Sequence, residues 1–285
     1  MTAIGTVLVL GATGRQGRAV ARQLLQRGTR VRALTRDPRS EGAGALAAQG
    51  VEIMGGDLDD AASLAHAMSG VDGVFSVQPV SDSAAGLEDE ARRGKRVASE
   101  AARAGVKHLV YSSVGGADGQ AQFRFSPKWE IEQHVRSLAL PATILRPAGF
   151  MEDIVGPRFG VPSGHFTTAL APRTRCPLIA VEDIGVFAAL AFAAPGSFGQ
   201  APVELAGDAL TPPEIAGALG LELGRPIDYI QVPLDVLRAK SPEAARVFQW
   251  ANEAGYAIDI PALRRRHPRL ETFAAWLARR AGTGR

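Results

Sequence analysis

The chain has 285 residues, 46% of them hydrophobic and 21% charged, and its formal net charge at pH 7 is +3. This length suits one large α/β domain with a smaller appendage, and the composition is ordinary for a soluble globular protein. No window approaches 18 consecutive apolar residues, and the chain does not start with a basic-then-apolar leader. We therefore expect a cytoplasmic protein without a membrane association.

Cysteine and arginine usage excludes several classes of site. Cys176 is the single cysteine, which rules out an internal disulfide and a cysteine metal cluster. We expect it to be a buried structural thiol, and we expect no metal. The dense basic cluster at 264–267 lies in a helical stretch without interleaved aromatic residues, which favours a solvated helix face over a nucleic-acid interface.

Strands alternate with helices through the first half of the chain. Apolar runs predict strands near 5–10, 30–35, 51–54, 72–77, 107–112 and 142–146. Helical patterns lie near 15–28, 41–49, 60–69, 84–105 and 127–138. This alternation predicts an α/β fold, a Rossmann-type doubly wound parallel sheet with helices on both faces. Ligands of such sheets bind beyond the carboxyl ends of the strands, so functional residues should directly follow the strands.

The first predicted strand ends in a glycine-rich turn, Gly11-Ala-Thr-Gly14-Arg-Gln-Gly17, and a helical pattern begins at once. Gly11 permits the tight turn, Gly14 lets the backbone approach a phosphate, and Gly17 lets helix and strand pack closely. The helix N-terminus then offers N–H groups and a positive dipole end to an anion. The turn predicts dinucleotide binding.

The second strand ends in Thr35-Arg36-Asp37, where an NAD-selective site usually carries a carboxylate for the ribose hydroxyls. The guanidinium of Arg36 suits bidentate contact with a 2′-phosphate, which predicts NADP(H) in preference to NAD(H). Arg15 and Arg18 could also reach phosphate oxygens. The alternative is that Arg36 is an exposed loop residue and that Asp37 takes the carboxylate role.

The third strand is followed by Asp57-Leu58-Asp59-Asp60. Asp57 could accept a hydrogen bond from the adenine amino group while Leu58 packs on the ring, or it could serve simple turn chemistry. Asp59 or Asp60 is expected to cap the next helix.

The fourth strand ends at Gln78-Pro79, where the backbone should pass the nicotinamide ribose, although an ordinary loop would also explain the proline. The fifth strand ends at Ser112-Ser113, and its hydroxyls would face the reacting carbon of a reductase. Ser113 is a candidate for a catalytic or substrate-orienting role, and a turn-forming role is the alternative.

Lys128 lies in the first turn of the next predicted helix, after Ser126 as N-cap and Pro127. There an ammonium can hold ribose hydroxyls or assist proton transfer to a carbonyl oxygen. The alternative is an i,i+4 pair of Lys128 with Glu132 on an exposed face.

The character of the chain changes after Pro147. Residues 156–177 are rich in proline and glycine, which predicts a substrate-covering loop region. The later elements are a strand and helix in 178–194, a short strand from 201, a helix after Thr211, a strand at 227–231, and helices near 241–255 and 269–281. We predict a dinucleotide-binding domain over 1–150, completed by 177–205, and a smaller C-terminal α/β substrate or partner lobe from 151–176 and 206–285.

These motifs resemble the NmrA-like family, atypical members of the short-chain dehydrogenase/reductase superfamily, over nearly the whole chain. The matching stretches are the glycine turn, Arg36-Asp-Pro, Gly56-Asp-Leu, Tyr111-Ser-Ser, Lys128-Trp-Glu-Ile-Glu, Pro141 to Glu152, and Trp250 to Leu277. The resemblance implies NADP(H) binding. The family includes NADPH-dependent quinone, dye and aromatic-ether reductases, and also regulators that bind NADP as redox sensors without turnover.

The chain departs from ordinary short-chain reductases at the proton donor. Those enzymes place a tyrosine four residues before the helix lysine, and here that position is Arg124, which cannot act as an acid near neutral pH. Tyr111 should point into the packing of the sheet. His134 and His165 are spare acid/base candidates, each more typical of a structural or surface histidine.

The predicted site residues fall into three groups. The cofactor-contacting group is Gly11, Thr13, Gly14, Arg15, Gln16, Gly17, Arg36, Asp57, Leu58, Gln78, Pro79, Lys128 and Phe150. The catalytic candidates are Lys128 and Ser113. An apolar substrate pocket between the 147–170 region and the C-terminal lobe would be lined by Phe150, Met151, Phe159, Phe166, Trp250 and Tyr256, all of which could equally be core.

Two functional hypotheses follow. The first is an NADPH-dependent oxidoreductase acting on a quinone or another small carbonyl or aromatic acceptor, with the proton supplied by solvent. The second is a non-catalytic NADP(H)-sensing protein that signals to a protein partner. A sugar-nucleotide epimerase or dehydratase would need the absent tyrosine. The sequence leaves a homodimer open.

Overall fold

The computed structural model describes residues 4–79, 83–119 and 127–283. Within these ranges, no helix has both the length and the apolar character needed to span a membrane. Contacts divide the chain into two compact units. The described residues of unit 1 lie within Met1–Ala117, Phe125–Arg146 and Ile184–Val203, and those of unit 2 within Asp118–Arg124, Pro147–Asp183 and Glu204–Arg285.

The described residues form strands and helices in the following order. The strands are β1 (Thr6–Leu10), β2 (Arg30–Thr35), β3 (Glu52–Gly55), β4 (Gly73–Ser76), β5 (His108–Ser112), β6 (Ala142–Pro147), β7 (Gly149–Phe150), β8 (His165–Thr168), β9 (Cys176–Ile179), β10 (Val203–Leu205), β11 (Asp208–Leu210) and β12 (Asp228–Gln231). The helices are α1 (Arg15–Gln26), α2 (Glu41–Ala47), α3 (Ala61–Met68), α4 (Ala84–Arg103), α5 (Pro127–Ser137), α6 (Met151–Ile154), α7 (Val181–Ala193), α8 (Pro212–Leu223), α9 (Leu234–Lys240), α10 (Pro242–Glu253), α11 (Ile260–Arg266) and α12 (Phe273–Thr283).

A seven-stranded sheet with the order β10-β6-β5-β4-β1-β2-β3 forms the centre of the fold. All neighbouring pairs from β6 to β3 in this order are parallel. The order reverses between β1 and β4, so this pair is the switch point of a doubly wound sheet. The predicted Rossmann fold class is confirmed.

The sheet is covered on its faces, which explains its continuous apolar strands. Every residue of β1, β4 and β5 is buried, as expected for parallel strands with helices on both sides. Close packing between helices depends on glycine: a Cβ on Gly94 of α4 would lie 2.3 Å from Cδ1 of Ile131 on α5. On another pair, a Cβ on Gly185 of α7 would lie 2.7 Å from the carbonyl oxygen of Ala19 on α1.

Unit 2 contains two small sheets and its own hydrophobic core. The orders are β11-β9-β7 and β12-β8. Fully buried side chains of this core include Met151, Phe166 and Phe273. His267 and Asp183 join by a 2.8 Å contact between Nε2 and Oδ1, and both residues are buried.

The structure differs from the predicted elements mainly after residue 147. The stretch 156–177 was expected to be an irregular loop region, but it contains β8, which pairs in parallel with β12. β7, β11, α6, α9 and α11 were not predicted, because each is short and depends on distant partners. Relative to the predicted domain limits, unit 2 also takes the described residues 118–119, 147–150, 177–183 and 204–205. The pairing of β7 with β9 in a small sheet of unit 2 explains the second and third of these changes.

Candidate functional site

The glycine turn joins β1 to α1 at the switch point. Gly11 has a φ of 65°, in the left-handed region that favours glycine. A Cβ on Gly17 would lie 2.2 Å from the carbonyl oxygen of Gly11, so only glycine lets α1 begin this close to β1. Gly14 is the N-cap and makes no side-chain cap hydrogen bond. The turn therefore presents the positive end of α1 to an anion, as a pyrophosphate requires.

The residues around this helix start are held by both side-chain and backbone contacts. Thr13 and Arg15 are exposed. Arg18 is also exposed, and its Nη2 donates to the carbonyl oxygen of Thr13 at 3.1 Å. Gln16 accepts a 2.7 Å hydrogen bond at Oε1 from Oγ of Ser112, which links α1 to the end of β5. This link between residues 96 positions apart has no signal in the local sequence.

The carboxyl end of β4 lies against the same turn. A Cβ on Gly11 would lie 3.0 Å from Cγ1 of Val77. Gln78 is buried, and its Nε2 donates to Oγ of Ser76 at 2.8 Å. Its Oε1 has no hydrogen-bond partner among the described residues. Gln78 and the exposed Pro79 thus follow β4 beside the switch point, and their contact with a nicotinamide ribose stays a prediction.

Arg36 follows β2 and is exposed, and its side chain makes no polar contact within the described ranges. The Asp37 carboxylate is already used in the turn, because its Oδ1 accepts a hydrogen bond from the N–H of Arg39 at 2.9 Å. Arg36 and Asp37 both stay candidates for the ribose end of a nucleotide, because a carboxylate keeps further acceptor lone pairs when one oxygen is used.

In the loop after β3, aspartate side chains accept hydrogen bonds from nearby backbone N–H groups. Oδ1 of Asp57 accepts from the N–H of Asp59 at 2.9 Å, which is the turn chemistry that was the alternative to adenine recognition. Asp60, rather than Asp59, caps α3 by accepting from the N–H of Ala62 at 2.9 Å. Leu58 is half-buried against the core of unit 1. Adenine contact by Asp57 and Leu58 stays a prediction.

Arginines on α4 anchor this loop, a feature that sequence reasoning missed. Asp59 pairs with Arg92, and also with Arg93 at 2.6 Å. Nη1 of Arg96 donates to the carbonyl oxygen of Leu58 at 3.2 Å. Hydrogen bonds from Arg93 and then Arg92 lower the pKa of Asp59 to about 2. The available signal was the spacing of three arginines on one face of a helix.

Lys128 lies in the first turn of α5 and pairs with Glu90 of α4, with Nζ 2.6 Å from Oε1. The alternative of an exposed i,i+4 pair with Glu132 is wrong. Glu132 is fully buried, and its partners are Ser113, Arg146 of β6 and Arg136 four residues later on α5. The helix register across 38 residues, rather than local spacing, selects the partner of Lys128.

Ser113 belongs to a buried network with Glu132 and Arg146. Its Oγ donates to Oε1 of Glu132 at 2.5 Å. Arg146 binds the same carboxylate in bidentate fashion, with Nε at 2.9 Å and Nη2 at 2.8 Å. A hydroxyl has one proton, so in this arrangement Ser113 offers only acceptor lone pairs to a ligand. A role in donating to a substrate oxygen would require this bond to break.

The structure also shows the surroundings of the remaining acid/base candidates. Tyr111 is fully buried in the core, as expected, and burial followed by the charges of Glu90 and Glu132 raises its pKa well above the usual value. Nε2 of His134 contacts Oγ of Ser99 at 2.8 Å. His165 is the first residue of β8 rather than part of a loop. Arg124 and the predicted N-cap Ser126 lie outside the described residues.

The predicted pocket residues divide by burial. Met151 and Phe166 are core side chains of unit 2, with 0% and 1% exposure, so the structure assigns them packing contacts. The Phe159 ring tilts against Phe166 at 5.6 Å between centroids. Trp250 and Tyr256 are half-buried and meet edge to face at 4.8 Å. Phe150 is half-buried as the N-cap of α6. Substrate contact stays a prediction for all six of these residues.

Two negative findings concern reactive groups. Burial raises the pKa of the Cys176 thiol to about 12, which makes thiolate chemistry unfavourable near neutral pH. Across the described ranges, no group of three or more His, Cys, Asp or Glu side chains could hold a metal ion.

Comparisons with known proteins identify a family and several similar proteins. The model of the NmrA-like family matches residues 4–272. A (4-alkanoyl-5-oxo-2,5-dihydrofuran-3-yl)methyl phosphate reductase of Streptomyces griseus is 33% identical over 234 residues, 81% of this chain and 79% of the relative. An NAD(P)H azoreductase of Xenophilus azovorans is 31% identical over 232 residues, 80% of this chain and 78% of the relative.

Solved structures share the fold at lower identity. NmrA, a negative transcriptional regulator, in complex with NADP has a TM-score of 0.79 and 21% identity, over 97% of this chain and 95% of that chain. The same regulator has been solved in complex with NAD. An NADPH-dependent quinone oxidoreductase of Escherichia coli, complexed with NADPH, has a TM-score of 0.78 and 24% identity, over 96% of this chain and 99% of that chain. With the family model covering residues 4–272, the chain belongs to the NmrA-like family.

Proposed function

We propose that this protein is an NADP(H)-dependent oxidoreductase that reduces a quinone or another small carbonyl or aromatic acceptor. The observation that carries the proposal is the glycine turn at the switch point. There the side-chain-free cradle formed by Gly11, Gly14 and Gly17 fits a dinucleotide pyrophosphate. Both relatives described above are named as reductases, one of them NAD(P)H-dependent, which supports oxidoreductase chemistry at such a site.

The proposed preference for NADP(H) depends on Arg36. Its exposed guanidinium has no polar partner in the described part of the chain, so it is available to an added anionic group. A 2′-phosphate would give Arg36 a bidentate, charge-assisted partner that NAD(H) lacks.

The chemistry divides between the cofactor and the chain. The bound nicotinamide supplies the hydride. Lys128 would hold ribose hydroxyls or assist proton transfer to a carbonyl oxygen, and its ammonium is fixed by Glu90. Ser113 would act as a hydrogen-bond acceptor, because its proton goes to Glu132. Since the usual tyrosine is absent, the proton that completes reduction would come from solvent, which suits a polarised acceptor such as a quinone.

An apolar, planar acceptor also fits the accessible aromatic side chains. Trp250 and Tyr256 form an edge-to-face pair and are only half-buried, so one or both rings could contact an aromatic ligand. The Escherichia coli structural neighbour is named as a quinone oxidoreductase. A cytoplasmic location and a homodimer stay predictions from the sequence.

A turnover assay tests the proposal. The purified protein with NADPH and a panel of quinones, aldehydes, azo dyes and imines should show loss of absorbance at the nicotinamide band with at least one acceptor. Tight NADP(H) binding without turnover across the panel would contradict the enzyme and support the regulatory alternative.

The alternative is an NADP(H)-sensing protein that acts through a protein partner. Two observations favour it: Ser113 has its proton committed to a buried carboxylate, and the phenol of Tyr111 is sealed in the core. A structural neighbour is named as a negative transcriptional regulator. In this case NADP(H) would bind as tightly as it would to the proposed oxidoreductase, and no acceptor would be reduced.

Cofactor preference has its own test. Arg36→Ala should weaken NADPH binding by about 10- to 100-fold, the size expected for a charge-assisted contact, and should leave NADH binding nearly unchanged. Arg27→Ala is the matched control, because Arg27 follows the other end of α1 and bonds to Gln23. Equal losses for NADPH and NADH would contradict the 2′-phosphate assignment.

A further inference from the structure

Two ion pairs of the same chemistry join α4 to α5, and they differ in burial. Nζ of Lys95 lies 2.5 Å from Oε2 of Glu130, and these side chains are 39% and 43% exposed. Nζ of Lys128 lies 2.6 Å from Oε1 of Glu90, with exposures of 14% and 2%. A buried ion pair is weak evidence of added stability, because desolvation offsets the Coulomb attraction. The buried pair therefore invites a functional explanation that the exposed pair does not need.

The buried pair lies at the carboxyl edge of the seven-stranded sheet. Lys128 is the second residue of α5, which follows β5, and helices of a doubly wound sheet begin at this edge. Other ionisable groups near the pair are Glu132 on α5 and Tyr111 on β5. Glu132 is neutralised by Arg146 of β6, and Tyr111 keeps its proton. Glu90 is thus the carboxylate that balances the charge of Lys128.

We propose that Glu90 is a positioning residue that holds the ammonium group of Lys128 at the carboxyl edge of the sheet. The inference rests on the proposed function, in which Lys128 holds ribose hydroxyls or assists proton transfer. A carboxylate at hydrogen-bond distance holds an ammonium group by a charge-assisted hydrogen bond, and an amide in its place makes a weaker one. Without Glu90, the long side chain of Lys128 would lose its fixed position and hold the ribose hydroxyls less well.

Glu90→Gln tests this, with Glu130→Gln as the matched control on the same pair of helices. NADP⁺ binding is measured by calorimetry at neutral pH. In Glu90→Gln the affinity should fall by about 10-fold, the size expected for one charge-assisted hydrogen bond. The control should keep the wild-type affinity, because Glu130 is exposed and pairs with Lys95.

A second background separates this effect from a structural one. In Lys128→Met, Glu90→Gln should cause no further loss of NADP⁺ affinity, because no ammonium group is left to position. If Glu90→Gln does not fold, Glu90→Asp is the test variant and should lower the affinity by a smaller amount. An unchanged NADP⁺ affinity in the folded Glu90 variant, or an equal loss in the Lys128→Met background, overturns the proposal.

Failure of the proposed function would be distinguishable from failure of this inference. A wild-type protein that reduces no acceptor contradicts the oxidoreductase, while the NADP⁺ affinity of the Glu90 variants still decides the role of Glu90. Conversely, an active enzyme whose NADP⁺ affinity is unchanged in Glu90→Gln contradicts the inference alone.

Discussion

The two ends of β5 show how one strand serves two purposes. At its start, His108 is buried, contacts Oγ1 of Thr143 through Nε2 at 3.0 Å, and meets the Phe192 ring edge to face. At its end, Ser112 and Ser113 reach Gln16 and the carboxylate of Glu132. The start uses neutral packing, whereas the end uses a buried charged network. We infer that both ends stabilise the fold, and we propose that the carboxyl end also serves recognition.

The largest effect on cofactor binding should come from adding a side chain to the glycine turn at the carboxyl edge. Gly17→Ala places a Cβ 2.2 Å from the Gly11 carbonyl oxygen if the backbone stays fixed, so the turn must open. We expect NADPH affinity to fall by about 100-fold or more, because close backbone geometry at the pyrophosphate is lost. Calorimetric titration measures it. Gly44→Ala on α2 is the control, since its Cβ would meet nothing within 4 Å. Wild-type affinity in Gly17→Ala would contradict the placement of the site.

The next effect tests the charged network. Glu132→Ala leaves Arg146 buried without its carboxylate, and we expect a loss of about 3–5 kcal/mol in the free energy of unfolding. Glu130→Ala on the same helix should cost about 1 kcal/mol or less, because its pair with Lys95 is exposed to solvent. Urea denaturation measures both. Equal small losses would mean that the network adds nothing beyond an exposed ion pair.

The third effect concerns the amino end. Burial lowers the pKa of His108 from 6.5 to about 4, so the folded state holds the neutral ring while the unfolded chain takes up a proton. The contribution of the neutral His108 ring to the free energy of unfolding is fully present above about pH 6.5. It is lost as the pH falls towards 4, by about 3 kcal/mol at most.

The variant His108→Gln should lack this part of the pH dependence, as measured by the free energy of unfolding across that range. His66→Gln, at an exposed position on α3, should retain it. NADPH affinity near neutral pH should not change in either variant. A wild-type pH dependence in His108→Gln would show that other groups cause the loss.

The sequence was sufficient for the regular half of the fold. Long apolar runs and periodic helices placed β1 to β6 and α1 to α5 close to their final limits, because these elements carry their own pattern. The two-residue β7 and the four-residue β8 have no such pattern and are defined by β9 and β12.

Parts of the site formed by neighbouring residues could be predicted from the sequence. Contacts between residues that are distant in the sequence could not. The glycine turn depends on three glycines within seven residues of the β1–α1 junction, and its geometry is as expected for Gly11 and Gly17. The partners of Lys128 and Ser113 depend on how α4, α5 and β5 are aligned, over separations of 38 and 19 residues. The alternative based on i,i+4 spacing therefore named the wrong carboxylate for Lys128, whose partner is Glu90.

If the proposed function is correct, hydride leaves the nicotinamide at this site, and an isotope measurement tests this step. With an accepted quinone, oxidation of NADPH should be slower when the transferred hydrogen at C4 of the nicotinamide is replaced by deuterium, provided that single-turnover conditions isolate the transfer step. We expect slowing with only one of the two C4-deuterated epimers, because the site would fix one face of the ring. No acceptor-dependent oxidation of either epimer would contradict it and leave a protein that binds the cofactor without turnover.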